Sequence, residues 1–171
     1  GAGMVMRADV IESAFLSIPK PGQHIYLSPR GKPLTQNKVK ELSQAQNITL
    51  LCGRYEGVDE RVIDAYEFEE ISIGDYVLSG GEPAALILMD ACIRLLPGVK
   101  GNEATPQEES FSHGLLEYPH YTRPASWKTA AGRTLDVPDI LTSGDHKAVE
   151  NWRKAQALEM TRRRRPDLLN K

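Results

Sequence analysis

The chain predicts an α/β fold in which a parallel sheet is covered by helices, and two observations carry that expectation. Short β-like runs alternate with helical patterns in a β-loop-α-β rhythm. Two glycine-bearing loops, Leu51-Cys52-Gly53-Arg54-Tyr55-Glu56-Gly57 and Ser72-Ile73-Gly74-Asp75-Tyr76-Val77-Leu78-Ser79-Gly80-Gly81-Glu82, each follow such a run and lead into a helix. There, bare backbone amides and carbonyls can close around a small ligand. Neither loop has phosphate-loop spacing, which points to a nucleotide-like ligand held by backbone rather than by a pyrophosphate cradle.

In chain order, His24 to Ser28 is a short strand, stopped by the turn chemistry of Pro29-Arg30-Gly31-Lys32-Pro33. Thr35 caps a helix carrying Val39, Leu42 and Ala45 on one face, and Ile48 to Cys52 reads as a fully buried strand. Asp59 begins a helix through Val62 and Ile63 to Tyr66. Ser79-Gly80-Gly81-Glu82 has the form of a capping box, with Pro83 just inside the helix start. The helix from Ala84 to Leu96 is apolar almost all round apart from Asp90 and Arg94, so it belongs in a core or a subunit interface; Pro97-Gly98 ends it. After Gly101 the residues Asn102 to His113 are polar, acidic and aperiodic, and read as a linker. Pro119, Pro124 and Pro138 keep the next stretch irregular. Asp145 then caps a helix to about Arg163 with Val149, Trp152 and Ala155 on a shared face, forming a small helical appendage.

With 171 residues, 40% of them apolar and 26% charged, the composition is that of a soluble globular protein with one domain, or one domain and an appendage. No apolar run approaches membrane-spanning length, so a cytosolic chain with no membrane partner is expected. Cys52 and Cys92 lie in apolar runs outside any Cys-x-x-Cys pair, and His24, His113, His120 and His146 lack ligand spacing, so no metal site is expected. The net charge of -2 argues against a protein that coats nucleic acid everywhere. Between Asn151 and Lys171, however, seven Lys or Arg residues face only Glu159 and Asp167. Either a phosphate-contacting face or a solvated helix end would account for that excess.

Taken together, Tyr26-Leu27-Ser28-Pro29, Cys52 to Arg61, Ser72 to Glu82 and Pro119-His120-Tyr121-Thr122-Arg123-Pro124 closely resemble the bacterial tRNA (guanine-N1)-methyltransferases of the TrmD family. The resemblance runs through nearly the whole chain. It implies a SPOUT-class fold: a parallel α/β sheet with a C-terminal trefoil knot, a rare exception to the rule against knots, plus a small helical C-terminal domain. It also implies S-adenosylmethionine bound in the knot and a homodimer with active sites shared between subunits. The implied domains are 1–101 for the cofactor, 102–113 as linker and 114–171 for tRNA. Family members carry an N-terminal strand before the Gly1-Ala2-Gly3-Met4 run, so missing sheet residues and a shortened C-terminus are expected.

By resemblance the cofactor lies among Tyr26, Leu27, Ser28, Gly53, Tyr55, Glu56, Ser72, Ile73, Gly74, Tyr76, Leu78, Gly80, Gly81 and Pro83. Residue by residue, each glycine could otherwise be only a tight turn. The implied acceptor is N1 of the guanosine at position 37 of tRNA, 3′ of the anticodon, and a protonated N1 needs a general base. The family's base is an aspartate in an Asp-Ser-Phe context; here Glu109-Ser110-Phe111 aligns, so Glu109 is the expected base, with Glu108 a neighbouring candidate. Arg94 matches the family arginine that stabilises charge on guanine O6; its alternative is a pair with Asp90 one turn earlier. His120, Tyr121, Arg123 and Arg162 to Arg165 are candidates for tRNA contact. A divalent-ion requirement is not legible in the residues. The alternatives are a non-catalytic module that binds cofactor and RNA, and a Rossmann-type dehydrogenase, which lacks its completed glycine fingerprint and acidic partner.

Overall fold

The computed structural model describes residues 3–99, 110–111 and 114–170. The chain divides into two units, residues 1–103 and 104–171.

In the first unit three parallel strands, β1 (Gln23–Pro33), β2 (Ile48–Cys52) and β3 (Glu69–Ser72), lie in the order β2-β1-β3. Strand periodicity gives β1 two buried faces. Ile25 and Leu27 pack with Val39 and Leu42 of α2 (Gln36–Leu42) and with Ala85, Leu88 and Cys92 of α4 (Glu82–Ile93). On the other face Tyr26 packs with Ile11 and Phe15 of α1 (Ala8–Leu16) and with Val62 and Ile63 of α3 (Glu60–Ala65). His24 shares that side: its ring meets Phe15 edge-on at 4.7 Å, and its Nδ1 lies 2.7 Å from the Tyr66 carbonyl. The expected parallel α/β sheet is present.

In the first unit two of the expected caps form. The Thr35 hydroxyl accepts from the Lys38 N–H at 3.3 Å, and the Asp59 carboxylate accepts from the Arg61 N–H at 3.0 Å. Hydrogen bonding to Arg61 holds the Asp59 carboxyl down at about 2. The expected capping box does not form: Gly81 is the N-cap of α4, with no side-chain cap bond, and Pro83 lies in the first turn. Helix α1 escapes pattern reading because Arg7 precedes it without capping it; its buried pair is Ile11 and Phe15.

Strand β1 does not stop at Pro29. It pairs with β3 on both sides of an irregularity, Leu27 and Lys32 both facing Ile71, so residues 28–31 bulge from the ladder. Gly31 crosses the β3 backbone so closely that a Cβ would stand 2.4 Å from the Ile71 nitrogen. Strand β2 is half-buried rather than fully buried, because only β1 pairs with it.

In the second unit a short antiparallel hairpin, β4 (Ser126–Lys128) and β5 (Thr134–Asp136), interrupts the proline-spaced stretch expected to be irregular. A 3₁₀ turn, Asp139–Thr142, leads to α5 (His146–Arg164), where the Asp145 carboxylate accepts from the Ala148 N–H at 2.9 Å. The inward face of α5 carries Val149, Trp152, Ala157 and Thr161, while Ala155 is exposed, because a 3.6-residue period moves the stripe to 156–157.

Thr161 is fully buried, and its hydroxyl both donates to the Ala157 carbonyl at 2.7 Å and accepts from the Leu116 N–H at 2.8 Å. Beside it, the Ser110 hydroxyl accepts from the Glu117 N–H at 2.9 Å. Thr161→Val keeps the shape of the side chain but strands the Leu116 N–H, at a cost of about 1–3 kcal/mol. A lowered denaturant midpoint for Thr161→Val, with Thr161→Ser near wild type, is the expected outcome; equal midpoints would contradict it.

Candidate functional site

The carboxyl ends of β1, β2 and β3 open on one side of the sheet, the side on which ligands of open α/β sheets bind. A cavity of about 370 Å³ lies there within the first unit, inside the range of small-molecule sites. Its wall is built from three segments: Tyr26 to Arg30 at the end of β1, Gly53 to Val58 after β2, and Ile71 to Gly81 after β3, apart from Asp75.

Of the fourteen residues expected to hold a cofactor, Tyr26, Leu27, Ser28, Gly53, Tyr55, Glu56, Ser72, Ile73, Gly74, Tyr76, Leu78, Gly80 and Gly81 line this one cavity. Pro83 is not among the described lining residues, although Ala84, the next residue of α4, is. Arg30 and Arg54 also line the cavity and were not expected. Arg54 lies inside the first glycine loop, where a backbone-centred reading passes over side chains, and Arg30 follows the Tyr26–Pro29 motif in a stretch read as a turn.

The two glycine loops are fastened to each other. The Gly81 N–H donates to the Gly53 carbonyl at 2.9 Å, and Arg54 and Gly80 form an antiparallel bridge. A Cβ on Gly81 would stand 2.7 Å from the Cys52 Cα, so only glycine permits the approach. Across the junction the Arg54 guanidinium meets the Glu82 carboxylate at 2.9 Å, with both groups exposed. The first loop is held from below by the N-terminal segment, since the Met6 N–H donates to the Gly57 carbonyl at 2.9 Å and the Glu56 N–H to the Met4 carbonyl at 3.0 Å. Tyr55 turns the loop in the left-handed region at φ 60, a conformation that costs a side-chain-bearing residue energy and is found at ligand-binding loops.

The second loop is shaped by its own side chains. The Ser72 hydroxyl accepts from the Gly74 N–H at 3.2 Å and donates to the Gly74 carbonyl at 3.1 Å, while the Tyr76 hydroxyl donates to the Ile73 carbonyl at 3.2 Å. Gly74 adopts φ 151 with the Tyr76 ring directly beside it. Burial raises the Tyr26 hydroxyl and the Cys52 thiol above their ordinary values, so both stay neutral near pH 7. Glu56 is the one carboxylate among the described lining residues. The chemistry on offer is apolar contact from Leu27, Ile73 and Leu78, backbone polar groups, serine hydroxyls, the Glu56 carboxylate, and the Arg30 and Arg54 guanidiniums, which are paired with Glu60, Glu70 and Glu82. That set suits a flat heteroaromatic ring joined to a charged tail.

Arg94 lies elsewhere. It is the C-cap of α4, half-buried, with its backbone N–H donating to the Asp90 carbonyl at 3.1 Å. Twelve helical steps from Glu82 put it about 18 Å from the cavity end of α4, beyond the reach of an arginine side chain. Glu108 and Glu109 lie outside the described residues. In the second unit His120 Nε2 meets Glu117 at 2.8 Å, Tyr121 and Arg123 are exposed, Arg162 pairs with Glu159 at 3.3 Å, and Arg165 pairs with Asp167 at 2.7 Å. Arg163 and Arg164 are exposed on the last turn of α5. Among the described residues no cluster of His, Cys, Asp and Glu has the geometry to hold a metal ion, and no helix is long and apolar enough to cross a membrane.

The family model described as tRNA (Guanine-1)-methyltransferase TrmD matches residues 1–171. A protein of Rhodospirillum rubrum named tRNA (guanine-N(1)-)-methyltransferase is 60% identical over 169 residues, covering 98% of this chain and 69% of that protein. Proteins of the same name from Rhizobium etli and Bartonella henselae are 56% and 57% identical, covering 100% and 98% of this chain and 72% and 70% of their own lengths.

Gly81→Ala forces the two loops apart, because its Cβ would meet the backbone of Cys52 and Gly53. Overpacking of this kind costs about 1–3 kcal/mol. A lowered urea midpoint is expected for Gly81→Ala, against no change for Val77→Ala, whose side chain is 85% exposed; an unshifted Gly81→Ala midpoint would contradict the steric argument.

Proposed function

The chain belongs to the tRNA (guanine-1)-methyltransferase TrmD family, and from that premise we propose that it is an S-adenosylmethionine-dependent enzyme that methylates N1 of guanosine 37 in tRNA. The observation that carries the reading is the convergence of the family's loop motifs on one cavity at the carboxyl ends of the parallel strands.

S-adenosylmethionine supplies an activated methyl group on a sulfonium when bound. The residues present fit it. Ile73 and Leu78 would offer apolar surface to adenine, backbone groups of the glycine loops would hydrogen-bond it, and Glu56 would supply a negative charge to the cationic part. Holding donor and acceptor in line is the main contribution of such a pocket. Glu109, in the linker 102–113, is the proposed base that takes the N1 proton, and Arg94 the proposed partner of the charge that this leaves on O6.

The distance of Arg94 from the cavity supports an active site shared across a homodimer, in which α4 of one subunit serves the cofactor of the other. Leu86, Ile87, Met89 and Ile93 of α4 are exposed in the single chain, which gives a dimer an apolar surface to bury. The knotted SPOUT form of the fold is proposed from the family alone; the parallel sheet of order β2-β1-β3 is compatible with it. Residues 114–171 are the proposed tRNA-binding domain, and the cytoplasm is the proposed site of action.

The test is incubation with labelled S-adenosylmethionine and tRNA transcripts that differ only at position 37. Label is expected in the guanosine transcript and not in an adenosine variant. Glu109→Gln should lower turnover about 10²- to 10⁴-fold with cofactor affinity unchanged by calorimetry. Full turnover by Glu109→Gln would remove the base assignment, and binding of cofactor and tRNA without transfer by wild type would favour a non-catalytic module.

A further inference from the structure

The contacts that join the two cavity loops differ in kind. Two are made by backbone: the Gly81 N–H donates to the Gly53 carbonyl at 2.9 Å, and Arg54 pairs with Gly80 in an antiparallel bridge. A third is made by side chains. Arg54 Nε and one of its terminal nitrogens both reach the same Glu82 oxygen, at 3.0 and 2.9 Å. Arg54 belongs to the loop after β2 and lines the cavity, whereas Glu82 opens α4 and is not among the described lining residues. The ion pair therefore ties the first loop to the helix in which the second loop ends.

The pair lies directly over Gly80. A Cβ there would stand 2.6 Å from Glu82 Oε2, 2.8 Å from Arg54 Nε and 2.9 Å from Arg54 Cδ, so both side chains rest against the bare Cα. Gly81 admits backbone to backbone at the junction; Gly80 admits the ion pair. The two side chains are 51% and 50% exposed. Ion pairs this open add little to the stability of a fold and are screened by salt. Holding two loops together at one point is a smaller task, and the backbone bridge beside the pair has already removed much of the freedom that the side chains would lose on meeting.

We propose that Arg54 and Glu82 form a latch on the cofactor cavity: paired, they keep the two loops closed on S-adenosylmethionine and slow its departure. They are positioning residues, which act through the loop junction. The inference rests on the cofactor reading above and adds to it what governs release. Glu82 also neutralises a cation on the wall of a site for a sulfonium, and that effect is separable from a latch. Charge repulsion from an unpaired Arg54 would expel the sulfonium alone, whereas an open junction would release the uncharged thioether S-adenosylhomocysteine as readily.

The experiment measures how fast each labelled compound leaves the full chain when chased with an excess of the unlabelled one. Glu82→Gln is expected to speed the departure of both about 2- to 5-fold at low salt, the range of an exposed ion pair, with a urea midpoint near that of wild type. High salt should speed release from wild type and leave Glu82→Gln unchanged. The exchanged pair, Arg54→Glu with Glu82→Arg, should release more slowly than Glu82→Arg alone, a comparison in which the arginine at the start of α4 is the same in both proteins. Wild-type release rates in Glu82→Gln, or an exchanged pair no slower than Glu82→Arg alone, would overturn the latch. Faster release of S-adenosylmethionine but not of S-adenosylhomocysteine would overturn it too, leaving Glu82 as a neutralising charge. Absence of binding of either compound by wild type would overturn the cofactor reading as well.

Discussion

One backbone hydrogen bond organises the first unit: the Gly81 N–H to the Gly53 carbonyl, 2.9 Å long. It closes two loops that follow different strands into a single wall, and it forms only because Gly81 has no Cβ to meet Cys52. The parallel sheet brings three strand ends to one side, but strand ends alone leave an open shelf. The junction of the loops turns the shelf into a cavity whose lining is backbone, serine hydroxyls and a few apolar side chains.

The same arrangement separates holding from reacting. Nothing in the described lining is an obvious base for N1, since Glu56 is its one carboxylate and Tyr26 is kept neutral by burial. Arg94, proposed to act on the acceptor, sits outside the cavity at the far end of α4, and the proposed base Glu109 lies outside the described residues. In a dimer this is no defect. A helix that begins at one cavity and ends about 18 Å away can join two sites, and its unburied apolar side chains are where a second copy would pack.

What was legible in the residues follows physical cause. Gly53, Gly74, Gly80 and Gly81 singly could each be only a tight turn; it was their joint occurrence with the other motifs, in loops after strands, that pointed to the cavity. Caps with a hydroxyl or carboxylate, Thr35, Asp59 and Asp145, announced three helix starts because the cap bond is local. Long-range pairing was not legible. Pro29 to Pro33 reads as a turn, yet β1 continues because β3 pairs on both sides of the bulge. Ser79 reads as a cap, yet it lines the cavity while Gly81, fixed by Gly53, takes the cap position. Trp152 reads as a core residue of a helix; only the fold of residues 118–123 against α5 makes it the wall of a cavity.

The central claim is that the backbone of the two glycine loops holds S-adenosylmethionine. Amide hydrogen exchange of the full chain with and without the cofactor tests it most directly, because exchange reads backbone closure residue by residue. The account predicts slowed exchange confined to Leu27–Ser28, Gly53–Gly57 and Ser72–Gly81, with the C-terminal unit unchanged. Protection that spares both loops, or that falls in the C-terminal unit instead, would contradict it.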